Sequence, residues 1–267
     1  MISLLTGLDN ARLLARLNAN DIAEKWQKSL AVDVGDYFRM LDVIEYWECP
    51  VTGFHWYTPA EAAGKGELYI QLEKFDWYYI PNKWEFSTAI NLLKAYSSVL
   101  EVGVGVGHFL QVACGKGHTV QGVELNPNGA KRARSYGYVV HELMLDELSK
   151  QTAQRFDAIC SFQVLEHVPN PREFLVGIIS LLKPGGRMIL SVPNAAVMRK
   201  IDPLNQDLLN HPPHHMGHWD EGVFRALEAL LPLKVKSVHR EPLAVYHIGW
   251  MVNSYFRSLL EAVSILV

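Results

Sequence analysis

The sequence "LEVGVGVGHFL", Leu100–Leu110, carries the clearest indication of the fold. An apolar run ends in an acid, and glycines follow at alternate positions, Gly103, Gly105 and Gly107. A short apolar strand that enters a glycine-rich turn and then a helix is typical of the first unit of a parallel sheet. Because glycine has no side chain, such a turn lets a ligand come close to the backbone.

The segments around this stretch alternate between strand and helix patterns. Strands are predicted at 98–104, 119–125, 138–142, 156–162 and 187–193. Helices are predicted at 85–96, 108–117, 127–137 and 171–183. This alternation predicts an α/β fold, a Rossmann-like, doubly wound and mostly parallel sheet with helices on both faces.

The N-terminal part of the chain has a different pattern. Residues 1 to about 35 are predicted to be helical, because Leu13, Leu14 and Leu17 fall near helical spacing, as Ile22 and Trp26 do further on. We expect this helical part to lie outside the α/β sheet.

An aromatic-rich region follows and completes an N-terminal extension. Residues 36–84 contain many aromatic side chains, interrupted by proline and glycine. This composition predicts short strands, a turn at Pro50–Gly53 and a loop at Ala62–Gly66. We therefore divide the chain into an accessory region, 1–84, and a Rossmann-like domain, 85–267.

Composition and charge exclude some classes of partner. The chain has 267 residues, a net charge of -3 and an isoelectric point near 6.4, which give no electrostatic basis for nucleic-acid binding. Its widely spaced cysteines, Cys49, Cys114 and Cys160, are typical of a reducing compartment. We read neither a signal peptide nor a membrane span and expect a cytoplasmic protein, with a homodimer possible.

The C-terminal segment is apolar. Residues 241–256 are expected to add a strand and a helix at the sheet edge. The apolar end, 256–267, is interpreted as a helix of the core, with self-association or a membrane surface as alternatives.

The acid before the glycines indicates the charge of the ligand. The dinucleotide pattern G-x-G-x-x-G fails at His108, and Glu101 stands two positions before Gly103. A carboxylate is unfavourable beside a pyrophosphate at a helix N-terminus, whereas it suits a ligand with an ammonium group. S-adenosylmethionine carries such a group and no phosphate. The pattern therefore favours S-adenosylmethionine over NAD.

A second acid supports this interpretation. The strand "TVQGVEL" ends near Glu124, 23 residues after Glu101. An acid at roughly 20 residues' distance holds the ribose in Rossmann folds. A carboxylate there can accept hydrogen bonds from both ribose hydroxyls.

Four segments resemble, in order, the class I S-adenosylmethionine-dependent methyltransferases over about 85–195. They are "VLEVGVGVGHFL", "GVELNP", "FDAICSFQVLEHVPNPREFL" and "LLKPGGRMILSVPN". The third is similar to the ubiquinone-biosynthesis-like branch, type 11/12. The resemblance implies S-adenosyl-L-methionine as cofactor, with S-adenosyl-L-homocysteine as product.

The resemblance also implies a set of cofactor-binding residues. It places Glu101 and Gly103 near the methionine ammonium, Gly105 and Gly107 in the loop, and Glu124 at the ribose. The family often has an acid for the adenine after the third strand; in this chain that place holds apolar residues, whose backbone could serve instead. The further residues expected at the cofactor are His108, Leu125, Leu143, Met144, Phe162 and Gln163.

The flanking segments resemble methyltransferases of bacterial polysaccharide and secondary-metabolite gene clusters. The segments are "ECPVTGFHWYTP", "WYYIPNKWE" and "HPPHHMGHW". Some such sequences bind zinc through paired cysteines, but here Thr52 stands where the partner of Cys49 would be, so we interpret this place as a turn. The aromatic side chains of the extension are either a lid over the pocket or a small core, namely Trp56, Tyr57, Trp77, Tyr78, Tyr79 and Trp84.

Histidines are the candidate bases, since a hydroxyl acceptor must lose a proton. His167 follows the fourth strand and lies beside the cofactor or substrate in the family, or is a packing residue. The segment "NHPPHHMGHW" holds His211, His214, His215 and His218, and His214 or His215 could be a base or orient the substrate. Alternatively these rings satisfy backbone groups. We expect no functional metal, because magnesium prefers oxygen ligands.

The sequence thus predicts an S-adenosylmethionine-dependent methyltransferase of a small molecule. The expected acceptor is a hydroxyl of a sugar or glycan precursor. The alternatives are a nitrogen or carbon of a secondary metabolite or quinone-like acceptor, and a non-catalytic cofactor-binding module.

Overall fold

The computed structural model describes residues 1–242 together with Gly249 and Val252. The predictions for the C-terminal segment, at 241–256 and 256–267, depend on residues outside this set. Within the described residues, every helix is too short or too polar to cross a membrane.

The elements are numbered in chain order. The strands are β1 (Arg12–Asn18), β2 (Val43–Glu48), β3 (His55–Thr58), β4 (Ser98–Val102), β5 (Thr119–Val123), β6 (Val139–His141), β7 (Phe156–Phe162), β8 (Leu182–Ser191) and β9 (Gly217–His218). The helices are α1 (Ala19–Leu30), α2 (Gly35–Phe38), α3 (Gly66–Leu72), α4 (Trp84–Leu92), α5 (His108–Gly115), α6 (Pro127–Ser135), α7 (Leu145–Gln151), α8 (Pro171–Leu181), α9 (Ala195–Ile201) and α10 (Glu221–Ala226). Short 3-10 turns lie at Ala60–Ala62, Leu165–His167, Leu208–Asn210 and Leu227–Ala229.

The chain divides into two compact units. We call Gly64–Val192 the sheet unit, and Met1–Ala63 together with Pro193–Val267 the accessory unit. The division at residue 84 that the sequence suggests stays a prediction.

The sheet unit contains a five-stranded sheet in the order β6-β5-β4-β7-β8. All neighbouring strands pair in parallel; Leu100 of β4 lies opposite Gln121 of β5 and Ile159 of β7. The predicted strands and the predicted α/β fold are therefore confirmed. Strand β4 is central, so the glycine turn that follows it lies at the middle of the carboxyl edge, where ligands bind in such sheets.

Helices cover both faces of this sheet. Leu100 of β4 belongs to a buried cluster with Leu148 of α7 and Ile178 of α8. The neighbouring Val99 belongs to another cluster, with Phe109 of α5. Because side chains alternate along a strand, these clusters lie on opposite faces and produce the doubly wound arrangement.

The predicted N-terminal helix is wrong for its first part. Leu13, Leu14 and Leu17 lie on strand β1, where exposed and partly buried residues alternate. The helix begins only after Asn18, whose side-chain oxygen accepts hydrogen bonds from the N–H groups of the first turn. Leucines at these positions fit both a helical and an alternating pattern, and pairing of β1 with β2 favours the strand.

The accessory unit is built around an antiparallel sheet in the order β1-β2-β3-β9. Trp56 and Tyr57 of β3 are almost fully buried, so these aromatic side chains form a core, one of the predicted alternatives. The predicted turn at Pro50–Gly53 is confirmed, since the Gly53 N–H donates to the Cys49 carbonyl over 2.8 Å.

Candidate cofactor site

The turn after β4 requires glycine at its first position. Gly103 has a φ of +80°, in the region that L side chains rarely adopt, and a Cβ there would lie 2.3 Å from Cγ2 of Val164. The N–H groups of Gly103 and Val104 donate to the Val123 carbonyl over 2.9 and 3.2 Å. These bonds hold the turn against the end of β5.

The other two glycines allow close contacts along the same loop. A Cβ at Gly105 would lie 3.0 Å from Cε1 of Tyr79, so the tyrosine ring rests on the loop. A Cβ at Gly107, the residue before α5, would lie 3.3 Å from Cβ of Ala133 on α6. The loop is therefore in contact with neighbouring segments of the sheet unit.

Glu101 is a buried acid at the end of β4. Its side chain is 3% exposed, and its Oε2 atom has no hydrogen-bond partner among the described residues. Burial raises the pKa of Glu101 well above its usual range, and the nearby charge of Glu124 raises that pKa further, while Lys83 acts in the opposite direction. Because its Oε2 atom is unpaired, this buried acid can accept a cationic group.

Glu124 joins the glycine loop to the next strand end. Its Oε2 accepts from the Gly105 N–H over 2.7 Å, and its Oε1 accepts from the Asn126 N–H over 2.7 Å. Burial raises the pKa of Glu124, and these backbone bonds oppose that shift. Each carboxylate oxygen can accept a second hydrogen bond, so the group keeps capacity for two hydroxyls.

His108 follows the glycine loop directly. It begins α5 and lines a pocket of about 530 Å³ with Tyr79, Val106 and Arg132. Burial lowers the pKa of His108, and the charge of Arg132 lowers it further. Leu125, directly after the ribose candidate, is 55% exposed.

Leu143 and Met144, the adenine candidates, lead into α7. Leu143 packs against the core of the sheet unit, while the Met144 side chain is 55% exposed. The Met144 N–H donates to Oε2 of Glu147 over 3.1 Å, so this backbone donor already has a partner.

Phe162 is the last residue of β7, and Gln163 follows it directly. The Phe162 ring packs on Phe86 and Phe109 in the core, with ring centres 5.2 and 4.7 Å apart. Gln163 has a φ of +56°, and its N–H donates to the Ser191 carbonyl over 2.9 Å. A non-glycine residue in this region costs about 1–3 kcal/mol, which is typical of functional turns.

His167 lies next in the same segment, beside a second buried acid. The Nε2 atom of His167 is 3.9 Å from Oε1 of Glu166, and its ring meets the Tyr69 ring edge-on, with centres 5.7 Å apart. Glu166 is 2% exposed, and burial raises its pKa to about 8. The sheet unit therefore brings together both predicted cofactor acids, the glycines and His167.

Sequence reasoning did not assign Glu166 or Lys83 to the site. A glutamate in the segment "VLEHVP" carries no sign that it is buried, and a lysine in "PNKWE" carries no sign that it faces two acids. Tyr79 was among the lid candidates, and its contact with Gly105 places it at the loop. The density of aromatic residues was the available signal for Tyr79.

The histidine segment belongs to the accessory unit, where His218 joins a buried polar network. Its Nε2–H donates to the Asn210 carbonyl over 3.0 Å, so in the neutral ring Nδ1 is an acceptor. Tyr46 donates its hydroxyl proton to that Nδ1 over 2.7 Å and accepts from Nδ1–H of His55 over 2.9 Å. His218 thus has a structural role in linking β2, β3 and β9.

The remaining histidines of this segment are also buried. His214 donates from Nδ1 to the Leu209 carbonyl over 3.0 Å, and its ring stacks on His215 with centres 4.5 Å apart. The His211 ring meets Tyr57 edge-on at 5.7 Å. For His214 and His218, the predicted alternative in which the rings satisfy backbone groups agrees with these contacts. The catalytic roles of His214 and His215 stay predictions.

The buried histidines are expected to contribute less to stability as the pH falls into mild acid. Burial lowers the pKa of both His211 and His218 to about 4, below the value of about 6.5 in an unfolded chain. At these two rings the unfolded state therefore binds more protons between about pH 4 and 6.5, so their contribution to the free energy of unfolding decreases as pH falls through that window. The buried acids Glu101 and Glu166, whose pKa values are raised, contribute in the opposite direction. The expected slope is up to about 1.4 kcal/mol per pH unit for each ring.

Urea unfolding at a series of pH values measures this slope. The variant His218→Asn should show a shallower slope than the natural protein, whereas His239→Ala, which changes an exposed histidine, should keep it. An unchanged slope in His218→Asn would show that this ring does not titrate on unfolding.

The fold and the site together define a class of protein. A central strand that ends in an acid, a glycine turn, and an acid at the end of the adjacent strand characterise the class I S-adenosylmethionine-dependent methyltransferases. The chain belongs to the methyltransferase-domain family, since the family model described as "Methyltransferase domain" matches residues 77–231, more than half of its length. The resemblance seen in the sequence is therefore confirmed.

Curated ubiquinone biosynthesis O-methyltransferases are similar to part of the chain. The ubiquinone biosynthesis O-methyltransferase of Xanthomonas axonopodis pv. citri is 34% identical over 122 residues, which cover 43% of this chain and 50% of the relative. The protein of the same name from Dechloromonas aromatica is 33% identical over 102 residues, covering 36% and 44%. The chain thus spans about half the length of the curated relatives it matches.

A solved structure is also similar. It is an S-adenosylmethionine-dependent methyltransferase, a possible histamine N-methyltransferase, from Thermotoga maritima. The similarity has a TM-score of 0.45 at 17% identity, and it covers 60% of this chain and 77% of the other.

Proposed function

We propose that this chain transfers the methyl group of S-adenosylmethionine to a hydroxyl of a small molecule. The observation that carries the proposal is the pair of acids at adjacent strand ends, Glu101 and Glu124, on either side of the glycine turn. S-adenosylmethionine, when bound, supplies an electrophilic methyl group on a positively charged sulfur.

The residues of the sheet unit fit this cofactor. The unpaired Oε2 of Glu101 offers a partner to an ammonium group, and the turn at Gly103 has no room for a side chain. Glu124 can accept from two ribose hydroxyls while it keeps its backbone bonds to Gly105 and Asn126. A pyrophosphate would instead meet the charge of these acids, which disfavours NAD.

Two acceptors are proposed, both hydroxyls. The sequence resemblance of the flanking segments favours a sugar or glycan precursor. The names of the curated relatives, ubiquinone biosynthesis O-methyltransferases, favour a phenol of a quinone-like molecule. An acceptor panel of nucleotide sugars, glycan fragments and catechols separates the two. We further propose action in the cytoplasm without a nucleic-acid partner, and a possible homodimer.

Calorimetric titration with S-adenosylmethionine, S-adenosylhomocysteine and NAD in parallel tests the cofactor. We expect micromolar binding of both adenosyl ligands and none of NAD. Binding of NAD alone would overturn the proposal. Tight binding of S-adenosylmethionine without turnover of any acceptor would favour a non-catalytic module instead.

The base is expected among the histidines, with His167 as the first candidate. Replacing a general base lowers turnover by about 10²–10⁴-fold, so His167→Ala should lose activity to this extent while it still binds the cofactor. His215→Ala and His214→Ala test the predicted alternatives, and His239→Ala is a control at an exposed ring. Full turnover in all three candidate variants would show that none of these histidines is an essential base.

A further inference from the structure

Glu166 is a buried acid for which the proposed function has no role so far. It lies in the 3-10 turn Leu165–His167 that follows β7, and its side chain is 2% exposed. Neither of its carboxyl oxygens accepts a hydrogen bond from another of the described residues. A charged carboxylate in such a place is unfavourable, whereas the protonated form is tolerated.

The charged groups around Glu166 come from several elements. Lys83 and Glu85 lie at the start of α4, and His167 is adjacent in the chain. The charge of an ionised Glu166 also raises the pKa of the buried Tyr78. Burial raises the pKa of Glu166 to about 8; Lys83 opposes that shift and Glu85 adds to it. The acid therefore holds its proton at neutral pH.

The turn that carries Glu166 borders the glycine loop. Val164, two residues before Glu166, is the side chain that a Cβ at Gly103 would meet at 2.3 Å. The proposed function places the methionine end of the cofactor at Gly103. The positive sulfur would therefore arrive beside the segment that carries Glu166, and a positive charge favours the ionised form of a carboxyl group.

We propose that Glu166 releases its proton to solvent when the positively charged cofactor binds, and that the resulting carboxylate positions His167 to take the proton of the acceptor. This inference rests on the proposed function. The carboxylate at 3.9 Å stabilises the protonated imidazole of His167, as buried carboxylates do for catalytic histidines. Glu166 is thus a positioning residue that acts through His167.

Protons and charge are conserved over one catalytic cycle. One proton leaves Glu166 for solvent on binding. During transfer the oxygen–hydrogen bond of the acceptor and the carbon–sulfur bond break, and an oxygen–carbon bond forms. The acceptor proton passes to His167, which then releases it, and Glu166 takes up one proton from solvent. The sulfur of the product is neutral, so the protonated acid is again the stable form.

A comparison of two ligands tests the coupling without turnover. S-adenosylmethionine and S-adenosylhomocysteine share the amino acid part and the ribose, so proton release caused by these shared groups cancels between them, and only the effect of the sulfonium charge remains. Titrations at pH 7 in buffers of different ionisation enthalpy measure the protons released by each ligand. We expect S-adenosylmethionine to release about one proton more per protein than S-adenosylhomocysteine.

Two variants assign this excess to a residue. Glu166→Gln should remove the excess, because the amide has no proton to release. Glu173→Gln, which changes an exposed acid in the first turn of α8, should keep it. In the natural protein, the affinity for S-adenosylmethionine divided by that for S-adenosylhomocysteine should also rise by up to about tenfold per pH unit between pH 6 and 8. This measurement needs no variant.

The outcomes separate this inference from the proposed function. Equal proton release by the two ligands, or an excess that persists in Glu166→Gln, overturns the role of Glu166 and leaves the proposed function intact. If neither ligand binds, the proposed function fails, and this inference fails with it. A pH-independent affinity ratio overturns the inference even if Glu166→Gln does not fold.

Discussion

Replacing Gly103 by valine is expected to abolish binding of S-adenosylmethionine, with an affinity loss of more than about a hundredfold, or about 2.7 kcal/mol. The new Cβ would lie 2.3 Å from Cγ2 of Val164 at a φ of +80°, which a β-branched residue does not tolerate. The turn would have to move, and the Gly105 N–H that donates to Glu124 would move with it. Calorimetric titration of the folded variant measures the loss.

Alanine variants separate crowding from backbone strain. Gly137→Ala introduces a Cβ at a φ of +88° with no described atom within 4 Å, so it should cost only the strain of about 1–2 kcal/mol. Gly103→Ala should cost more stability than this control, because its Cβ also meets Val164. A folded Gly103→Val protein with natural affinity would show that the loop does not hold the cofactor.

Replacing Glu124 by alanine is expected to weaken cofactor binding by more than about tenfold. A hydrogen bond to a charged group contributes about 1.5–3 kcal/mol, and the variant loses the proposed bonds to the ribose hydroxyls. The backbone N–H groups of Gly105 and Asn126 also lose their partner, so a lower melting temperature should accompany the weaker binding. Titration with S-adenosylmethionine and S-adenosylhomocysteine measures the first effect, and thermal unfolding the second.

Matched variants distinguish the loss of ligand contacts from the loss of the backbone hydrogen bonds that order the glycine loop. Glu124→Gln keeps the size of the side chain, but its amide nitrogen opposes one of the two backbone donors, so we expect an intermediate affinity. Glu142→Gln removes a nearby carboxylate that pairs with Arg134, and it should bind the cofactor normally. Natural affinity in a folded Glu124→Ala protein would contradict the ribose assignment.

The strands and helices of the sheet unit could be predicted because their signals are local. Strand β4 is an apolar run closed by glycines, and Pro127 opens α6 just as a proline at the first helical position does in general. The leucines of β1 lacked such a signal, since Leu13 and Leu17 fit two periods equally well. Pairing with β2, a distant segment, decided their conformation.

For the candidate site too, some features follow from local sequence and others depend on packing. The order of Glu101, the glycines and Glu124 along the chain predicts the charge and the shape of the ligand, because adjacent parallel strands end at one edge of a sheet. The contact between Tyr79 and Gly105 depends on how separate segments pack, and so did not follow from the pattern.

The order of the elements, the class of the fold and the candidate acids Glu101 and Glu124 could be predicted from the sequence, because periodicity and residue chemistry are properties of short segments. Which acids lose contact with water depends on how the whole chain packs. Glu101 and Glu166 are almost fully buried in the folded chain, and burial raises the pKa of both carboxyl groups. The protonation states on which the proposed chemistry depends therefore arise from packing.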